Sequence, residues 1–114
     1  MISQEKLAKE FTQVVERVYP RTGRLLQRCY VKVVEFYLRR LRKRFYYITV
    51  YCPESLCATL QVHRHVLKEI AENMGLIDVV FVNATRLLHD PMSKIKNEDP
   101  RFWLELHWLT SQKE

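Results

Sequence analysis

The 114 residues are enough for one domain spanning residues 1–114, and a hydrophobic fraction of 47% excludes wholesale disorder. No apolar run approaches the roughly 18 residues of a membrane span. The first ten residues contain no apolar signal core, so we expect neither a membrane protein nor a secreted one. The net charge of the chain is +6. Nine basic residues but only one acid, Glu35, lie between Arg21 and Arg44, so this segment alone has a charge of +8.

A first helix is predicted at the N-terminus. Ser3 can cap it, and Glu5 suits its first turn, where the helix dipole favours a carboxylate. Apolar residues then recur at helical spacing, namely Leu7, Phe11, Val14, Val15 and Val18. Residues 19–23, which include a proline and a glycine, are predicted to end this helix.

The stretch from about Thr22 to about Lys43 has two interpretations. We prefer a second helix, because apolar residues keep spacings of three and four for over five turns. The apolar face of that helix is so wide that another part of the fold or a partner subunit should cover it. The competing interpretation is a strand at residues 30–38 followed by a hairpin through residues 39–44.

A strand, a helix and a second strand follow. Residues 46–52 alternate between two faces and are rich in aromatic and β-branched types, as in a half-buried strand. Pro53 suits the first turn of a helix, and Gly75 suits its end. Residues 76–83 are strand-like again, and the connecting length permits a right-handed parallel crossover.

The last third of the chain is predicted to contain a long connection and one more strand. Residues 84–100 are polar and suggest a mobile or functional loop. Apolar residues alternate with others in residues 101–109, which predicts a strand paired antiparallel with residues 76–83. The fold class is therefore α+β, a small three-stranded sheet backed by helices in the order helix, helix, strand, helix, strand, strand.

The residues suited to catalysis are scattered. Gly23 and Gly75 are the only glycines, so the chain has no glycine-rich phosphate loop. His63 and His65 are two apart on a helix and cannot share a metal, and His63 lies on the apolar stripe, where a hydrogen-bonded core histidine is expected. The three cysteines lack metal-ligand spacing and are expected to be reduced and mostly buried. We expect no enzyme activity, no metal site and no cofactor.

The basic run is the most informative segment. Three interpretations are open: a solvated helix end, a nuclear-import or nucleic-acid patch, and a contact surface for acidic protein partners. Tyr47 and Tyr51 are candidates for stacking on bases, although their alternation is first that of strand residues. The cations of this basic patch are Arg39, Arg40, Arg42, Lys43 and Arg44.

A small sheet with two unpaired edges also favours self-association. The candidate surface combines apolar residues of the predicted second helix with residues of the predicted last strand. Its members are Phe36, Tyr37, Trp103 and Leu109.

Several strings resemble the adenovirus early-protein family encoded by the third reading frame of early region four. The chain opens with Met1 and Ile2, and LRRLR at residues 38–42 is similar to the arginine-rich end of that family's second helix. FVNAT at residues 81–85 resembles a strand end of the family. LELH at residues 104–107, with Leu109 after it, resembles the family's last strand.

This resemblance implies a non-enzymatic viral early protein of the host nucleus. Members of that family dimerise through the sheet and assemble into a multivalent scaffold that captures host tumour-suppressor and antiviral proteins. The implied partners are a second copy of this chain and host nuclear proteins, with nucleic acid as a further candidate and no membrane. Multivalency would raise avidity without new contacts.

A second resemblance is to the bacterial DciA-like helicase-loader domain, which has a KH-like fold. The strings ITVYCPESLCATL, VLKEIAENMG and IDVVFV, within residues 48–82, are similar to its strand, small-residue helix and returning strand. That family also has a hairpin before this strand, which the predicted second helix would leave absent or shortened. The resemblance implies a small nucleic-acid-binding domain of the bacterial cytoplasm that assists a replicative helicase.

Overall fold

A three-stranded sheet lies at the centre of the computed structural model, which describes residues 3–111. The strands are β1 Tyr30–Leu38, β2 Lys43–Cys52 and β3 Val79–Asn83. β1 pairs antiparallel with β2, and β2 pairs parallel with β3. The sheet is therefore mixed, and β1 and β3 are its two edges.

Helices occupy most of the remaining chain. Those of the described residues are α1 Gln4–Val18, α2 Pro20–Leu26, α3 Glu54–Val62, α4 Arg64–Asn73, α5 Ala84–His89, α6 Ile95–Glu98 and α7 Pro100–Ser111. The predicted fold class, α+β with a three-stranded sheet backed by helices, is confirmed, and the predicted order agrees in outline. No helix within residues 3–111 is long and apolar enough to cross a membrane.

The first helix forms where the sequence predicts it. The Ser3 hydroxyl accepts a hydrogen bond from the backbone N–H of Lys6 at 3.1 Å, and Glu5 lies in the first turn. Phe11 and Val15 of the predicted stripe are fully buried. These two side chains anchor α1 on the sheet.

A second, shorter helix, α2, begins within the predicted break at residues 19–23. Pro20 occupies its first turn, where a missing N–H costs nothing. A Cβ added at Gly23 would lie 2.7 Å from the Cα of Glu16 in α1. The two backbones can approach this closely because Gly23 has no side chain.

The single helix predicted at residues 22–43 is wrong beyond residue 26, where α2 ends, and the competing strand and hairpin are correct. β1 occupies residues 30–38. Val31 and Val33, two apart, pack with the core, as strand alternation requires. The β-branched residues of this stretch favour a pleated strand over a helix. Helical spacing fitted as well, because the stretch is apolar at so many positions.

The parallel crossover is confirmed, with one interruption in its helix. Ile48 of β2 lies opposite Val79 of β3. The single helix predicted between them is divided into α3 and α4, which meet at His63. Gly75 ends the helical segment with a φ of +83°, a conformation that glycine adopts without strain.

The predicted strand at residues 101–109 is wrong, because α7 occupies this stretch. Phe102 and Leu106 are buried, whereas Leu104 is 59% exposed, so burial follows the four-residue spacing of a helix. Pro100 begins the helix, and the Asp99 carboxylate accepts a hydrogen bond from the Phe102 N–H at 3.2 Å. The loop predicted at residues 84–100 contains α5 and α6.

The two faces of the sheet are covered to different extents. α1, α3 and α4 pack on one face, where the main hydrophobic core lies. On the other face, α7 covers one end, and the Phe102 ring lies 4.9 Å from the rings of both Tyr30 and Tyr51. We name the part of that second face nearest the hairpin tip the open face, and its side chains are Val34, Phe36, Leu38, Lys43, Phe45 and Tyr47. The row formed by Lys32, Thr49 and Val80 lies between the open face and the end that α7 covers.

Candidate nucleic-acid interface

The basic run forms the tip of the β1–β2 hairpin. Leu38 pairs with Lys43, and the four residues between them make the loop. In the first of two successive turns, the Leu41 N–H donates to the Leu38 carbonyl oxygen at 3.2 Å. In the second, the Arg42 N–H donates to the Arg39 carbonyl oxygen, also at 3.2 Å. Arg42 adopts a φ of +51°, and this left-handed residue returns the chain into β2.

All five cations predicted as the basic patch lie together and are exposed. The Arg44 Nε is 3.3 Å from a carboxylate oxygen of Glu35, although its side chain remains 67% exposed. Within residues 3–111, no carboxylate forms an ion pair with the other four cations. Such a concentration of unpaired positive charge creates a potential that attracts polyanions.

Strand alternation places three aromatic rings on the open face beside this tip. Phe36 and Phe45 are opposite each other, with ring centroids 5.6 Å apart and 30° between the ring planes. Tyr47 lies diagonally across from Phe36, at a centroid distance of 6.0 Å. Phe36 is 37% exposed and the other two rings are half-buried, so the three form one surface that solvent reaches.

The two tyrosines proposed for stacking have different surroundings. Tyr47 belongs to the open face, whereas Tyr51 lies beneath α7 against Phe102. Burial raises the pKa of Tyr51, and the charge of Tyr47 adds to this effect. Burial likewise raises the pKa of the neighbouring Tyr30, with a further contribution from Glu105. Of the two candidates, Tyr47 is the one on the open face.

Lysines border the open face, and no acid interrupts it. Lys43 lies at the tip end of the face, and Lys32 lies at the end next to α7, with its Nζ 4.5 Å from the centroid of the Phe102 ring. Glu35 is the one carboxylate in the three strands, and it lies on the opposite face with Arg44. The open face therefore combines aromatic surface with positive charge.

The four residues proposed for self-association lie on separate surfaces. Phe36 belongs to the open face, and Tyr37, which is 53% exposed, lies on the opposite side of β1. Trp103 and Leu109 are on α7, which packs near the start of β1. Phe36 is six residues beyond Tyr30, the residue of β1 that α7 contacts, which is about 20 Å along the strand at roughly 3.3 Å per residue. The structure does not bring the four together.

The remaining histidines and cysteines form no reactive cluster in the described part of the chain. His63 makes the expected hydrogen bond, with its Nδ1 2.8 Å from the Thr22 hydroxyl oxygen, but it is half-buried and not part of the core. The Sγ atoms of Cys52 and Cys57 are 3.0 Å apart, and burial raises the pKa of Cys52. Burial also raises the pKa of Cys29 to about 12, so neither Cys29 nor Cys52 is a ready nucleophile at neutral pH. No group of three His, Cys, Asp or Glu side chains within residues 3–111 is placed to hold a metal ion.

No protein family, curated protein or solved structure matches this chain. Its function is therefore inferred from the hairpin, the open face and the helices around them.

Sequence patterns alone do not identify two residues in and beside the open face, Phe45 and Lys32. Phe45 precedes the strand predicted at residue 46, and Lys32 falls in the stretch predicted as a helix. The signal that identifies them is the period of two on each side of a hairpin. Once residues 39–42 are taken as a turn, Phe45 and Tyr47 fall on one face of β2, and Lys32 and Phe36 fall on the same face of β1.

Proposed function

We propose that this chain is a nucleic-acid-binding domain whose β1–β2 hairpin contacts the phosphate backbone. The observation that carries the proposal is the exposed hairpin tip, with four cations that no carboxylate within residues 3–111 pairs. Guanidinium and ammonium groups neutralise phosphates and release condensed counterions, and this release supplies essentially all of the free energy of non-specific binding.

The hairpin also argues against the interpretation of the basic run as a solvated helix end. At the C-terminal end of a helix, cations are favoured by the helix dipole and need no ligand. Residues 39–42 form a turn and residues 43 and 44 belong to β2, so no helix dipole stabilises these side chains. Like charges in a tight loop repel each other, which costs stability. An anionic partner would offset that cost.

The resemblance to the helicase-loader domain supports the same function. That family has a hairpin before the strand, helix and returning strand, and here β1 and β2 form a hairpin before α3, α4 and the parallel strand β3. By this resemblance we infer a role as an accessory factor of a replicative helicase in the bacterial cytoplasm. The role requires no catalytic step and no cofactor.

The test is the salt dependence of binding to a labelled single-stranded 12-mer. Replacing all five cations of the basic patch by glutamine should weaken binding. The slope of log K against log[salt] should fall by about 0.7 for each phosphate that the variant no longer neutralises. The matched control removes five exposed cations of α1 and α2, and these are Lys6, Lys9, Arg17, Arg21 and Arg24.

The control variant changes the net charge equally but keeps all five cations of the hairpin, so its slope should stay close to that of the wild type. If the hairpin variant keeps the affinity and slope of the wild type, the hairpin is not the binding site and the proposal fails.

We propose self-association as a second candidate function, as in the viral nuclear scaffold that the first resemblance implies. It is favoured by Leu104 and Trp108, which are 59% and 66% exposed on the outer side of α7. The partners would be a second copy and host nuclear proteins, in the host nucleus. Light scattering at micromolar concentration should then give a mass above that of the monomer, and a strict monomer would exclude the function.

This candidate ranks second because its sequence support is weaker in the folded chain. The string at residues 104–107, compared with the last strand of that family, lies in the helix α7. Met1 and Ile2 lie outside the described residues.

A further inference from the structure

We infer that the open face binds a single strand of nucleic acid by stacking its bases on Phe36, Phe45 and Tyr47. This inference deepens the proposed function and rests on it. The hairpin tip would hold phosphates, and the open face beside it would hold the bases. Aromatic rings on an open sheet are a general platform for unpaired bases, because every base has a π face.

The three rings are arranged as one platform. The Phe36 and Phe45 rings are stacked, with centroids 5.6 Å apart and 30° between their planes, and the Tyr47 ring lies 6.0 Å from that of Phe36 with its plane tilted by 57°. All three side chains project from adjacent strands of one hairpin, so the backbone hydrogen bonds of the sheet fix their positions. A platform fixed in this way loses little conformational entropy when a base stacks on it.

Cross-strand packing explains why the rings contact each other but not why they remain uncovered. Aromatic pairs across strands stabilise a hairpin, yet a sheet face normally buries them beneath another layer. Here Phe102, in the first turn of α7, covers only Tyr30 and Tyr51, and Phe36 and Leu38 remain 37% and 39% exposed. This apolar surface is continuous with the cationic tip, and a strand of nucleic acid has both flat apolar rings and negative charge.

Charge decides between the two occupants that would cover such a face. A second copy of this chain would bring another basic hairpin, and like charges across an interface weaken binding. A nucleic acid neutralises Lys43, Lys32 and the tip, and the strand side chains of this face include no carboxylate to repel it. In a duplex the bases already stack on each other, so a single strand is the form that can use the rings.

The experiment separates bases from phosphates without changing the protein. Wild-type protein is titrated by fluorescence anisotropy with a labelled thymidine 12-mer and with an abasic 12-mer that has the same phosphates. We expect the abasic strand to bind about 5-fold to 100-fold more weakly, because stacking of even one base contributes on this scale. The salt slopes of the two strands should agree, since their phosphate contacts are the same.

Three variants locate the effect on the platform. Phe36→Ile and Tyr47→Ile each remove one ring and keep a β-branched apolar side chain suited to a strand. Each should weaken binding of the thymidine 12-mer by about 5-fold or more without changing the salt slope. Tyr37→Ile is the matched control, because Tyr37 is an exposed aromatic of the same strand on the opposite face, and it should leave the affinity unchanged.

The outcomes distinguish this inference from the function on which it rests. If the wild type binds both strands equally and neither ring substitution matters, the open face is not the base platform, although the hairpin still binds phosphates. If the wild type binds neither strand, the proposed function itself fails. If Phe36→Ile converts a dimer into a monomer at unchanged 12-mer affinity, a second copy occupies the face and the inference is wrong. Should a variant fail to fold, the comparison of the two strands on the wild type decides.

Discussion

Thr22 of α2 and His63 at the junction of α3 and α4 are 41 residues apart in the chain, and their side chains share a hydrogen bond of 2.8 Å. Thr22 is 3% exposed, so the bond lies largely out of water. It joins the N-terminal helices to the point where the crossover helix is interrupted. The bond therefore fixes a helix junction that has no side-chain cap of its own.

Thr22→Val should destabilise the protein by about 1–2 kcal/mol, because it leaves a polar ring nitrogen of His63 without its partner at almost constant volume. Urea unfolding measures the free energy. Thr59→Val on the exposed side of α3 is the control and should change stability by less than about 0.5 kcal/mol. Equal effects of the two substitutions would show that the hydrogen bond contributes nothing.

Gly23→Ala should also destabilise the protein, by on the order of 1 kcal/mol net. Helix propensity alone predicts a gain of about 1 kcal/mol at a helical glycine. The new Cβ would lie 2.7 Å from the backbone of Glu16, so α1 and α2 must move apart, and overpacking of this kind costs about 1–3 kcal/mol. The sign of the change in thermal unfolding decides between the two effects. Arg24→Ala, next in the same helix but exposed, is the control and should be nearly neutral.

Arg42→Gly should stabilise the hairpin by about 0.5–1 kcal/mol, because a left-handed conformation strains a residue with a side chain and not a glycine. Arg40→Gly removes the same charge from the same loop, at a residue without positive φ, and should lower stability. The two variants have equal net charge, so a difference in urea midpoint reports backbone conformation alone. A loss of stability in both would contradict the prediction.

Phe102→Ala should cost about 3 kcal/mol, because it removes the ring that joins α7 to Tyr30 and Tyr51. Loss of this ring should also shift the near-ultraviolet circular dichroism of the two tyrosines. Leu104→Ala, in the same helix but 59% exposed, should stay within about 0.5 kcal/mol of the wild type. Similar losses in the two variants would mean that α7 is not docked through Phe102.

Stability should fall as the pH rises above about 9. Burial raises the pKa of Cys29 from 9.0 to about 12, so between these values the unfolded chain loses a proton that the folded chain retains. The stabilisation by the neutral thiol is complete below pH 9 and is lost progressively toward pH 12. Cys29→Ser removes this titration, so the difference in unfolding free energy between variant and wild type should change across that range. A constant difference would contradict the prediction.

The sequence predicts those elements in which local signals and burial agree. α1 has a cap, an acidic first turn and a stripe of which Phe11 and Val15 are fully buried, and the crossover has proline and glycine at its two ends. Tyr47 and the five cations of the basic run are close in sequence, and this proximity alone predicts that they lie near each other in the fold. Such features depend on neighbours in the chain, so one sequence suffices to find them.

The two misassigned segments are those in which apolar residues fit both periods. In residues 30–38 the β-branched content favours a strand, whereas the spacing of Tyr30, Val33 and Tyr37 also fits a helix. In residues 101–109 the alternation is real, but only Phe102 and Leu106 are buried. Tertiary packing determines whether the helical or the strand period is adopted. The open face can be identified only once the register of the hairpin is known.

β2 obtains its two neighbours at very different times during synthesis. β1 precedes it by one short turn, whereas β3 ends about 30 residues after β2 is complete. At about 5–20 residues per second, a ribosome takes roughly 2–6 s to make that stretch. Throughout this interval the edge of β2 that will receive β3 presents free N–H and C=O groups to other nascent chains. Because β2 and β3 form a parallel pair, the nascent chain is most prone to aggregation before residue 83 has been synthesised. Slower synthesis prolongs the time for which this edge of β2 is exposed.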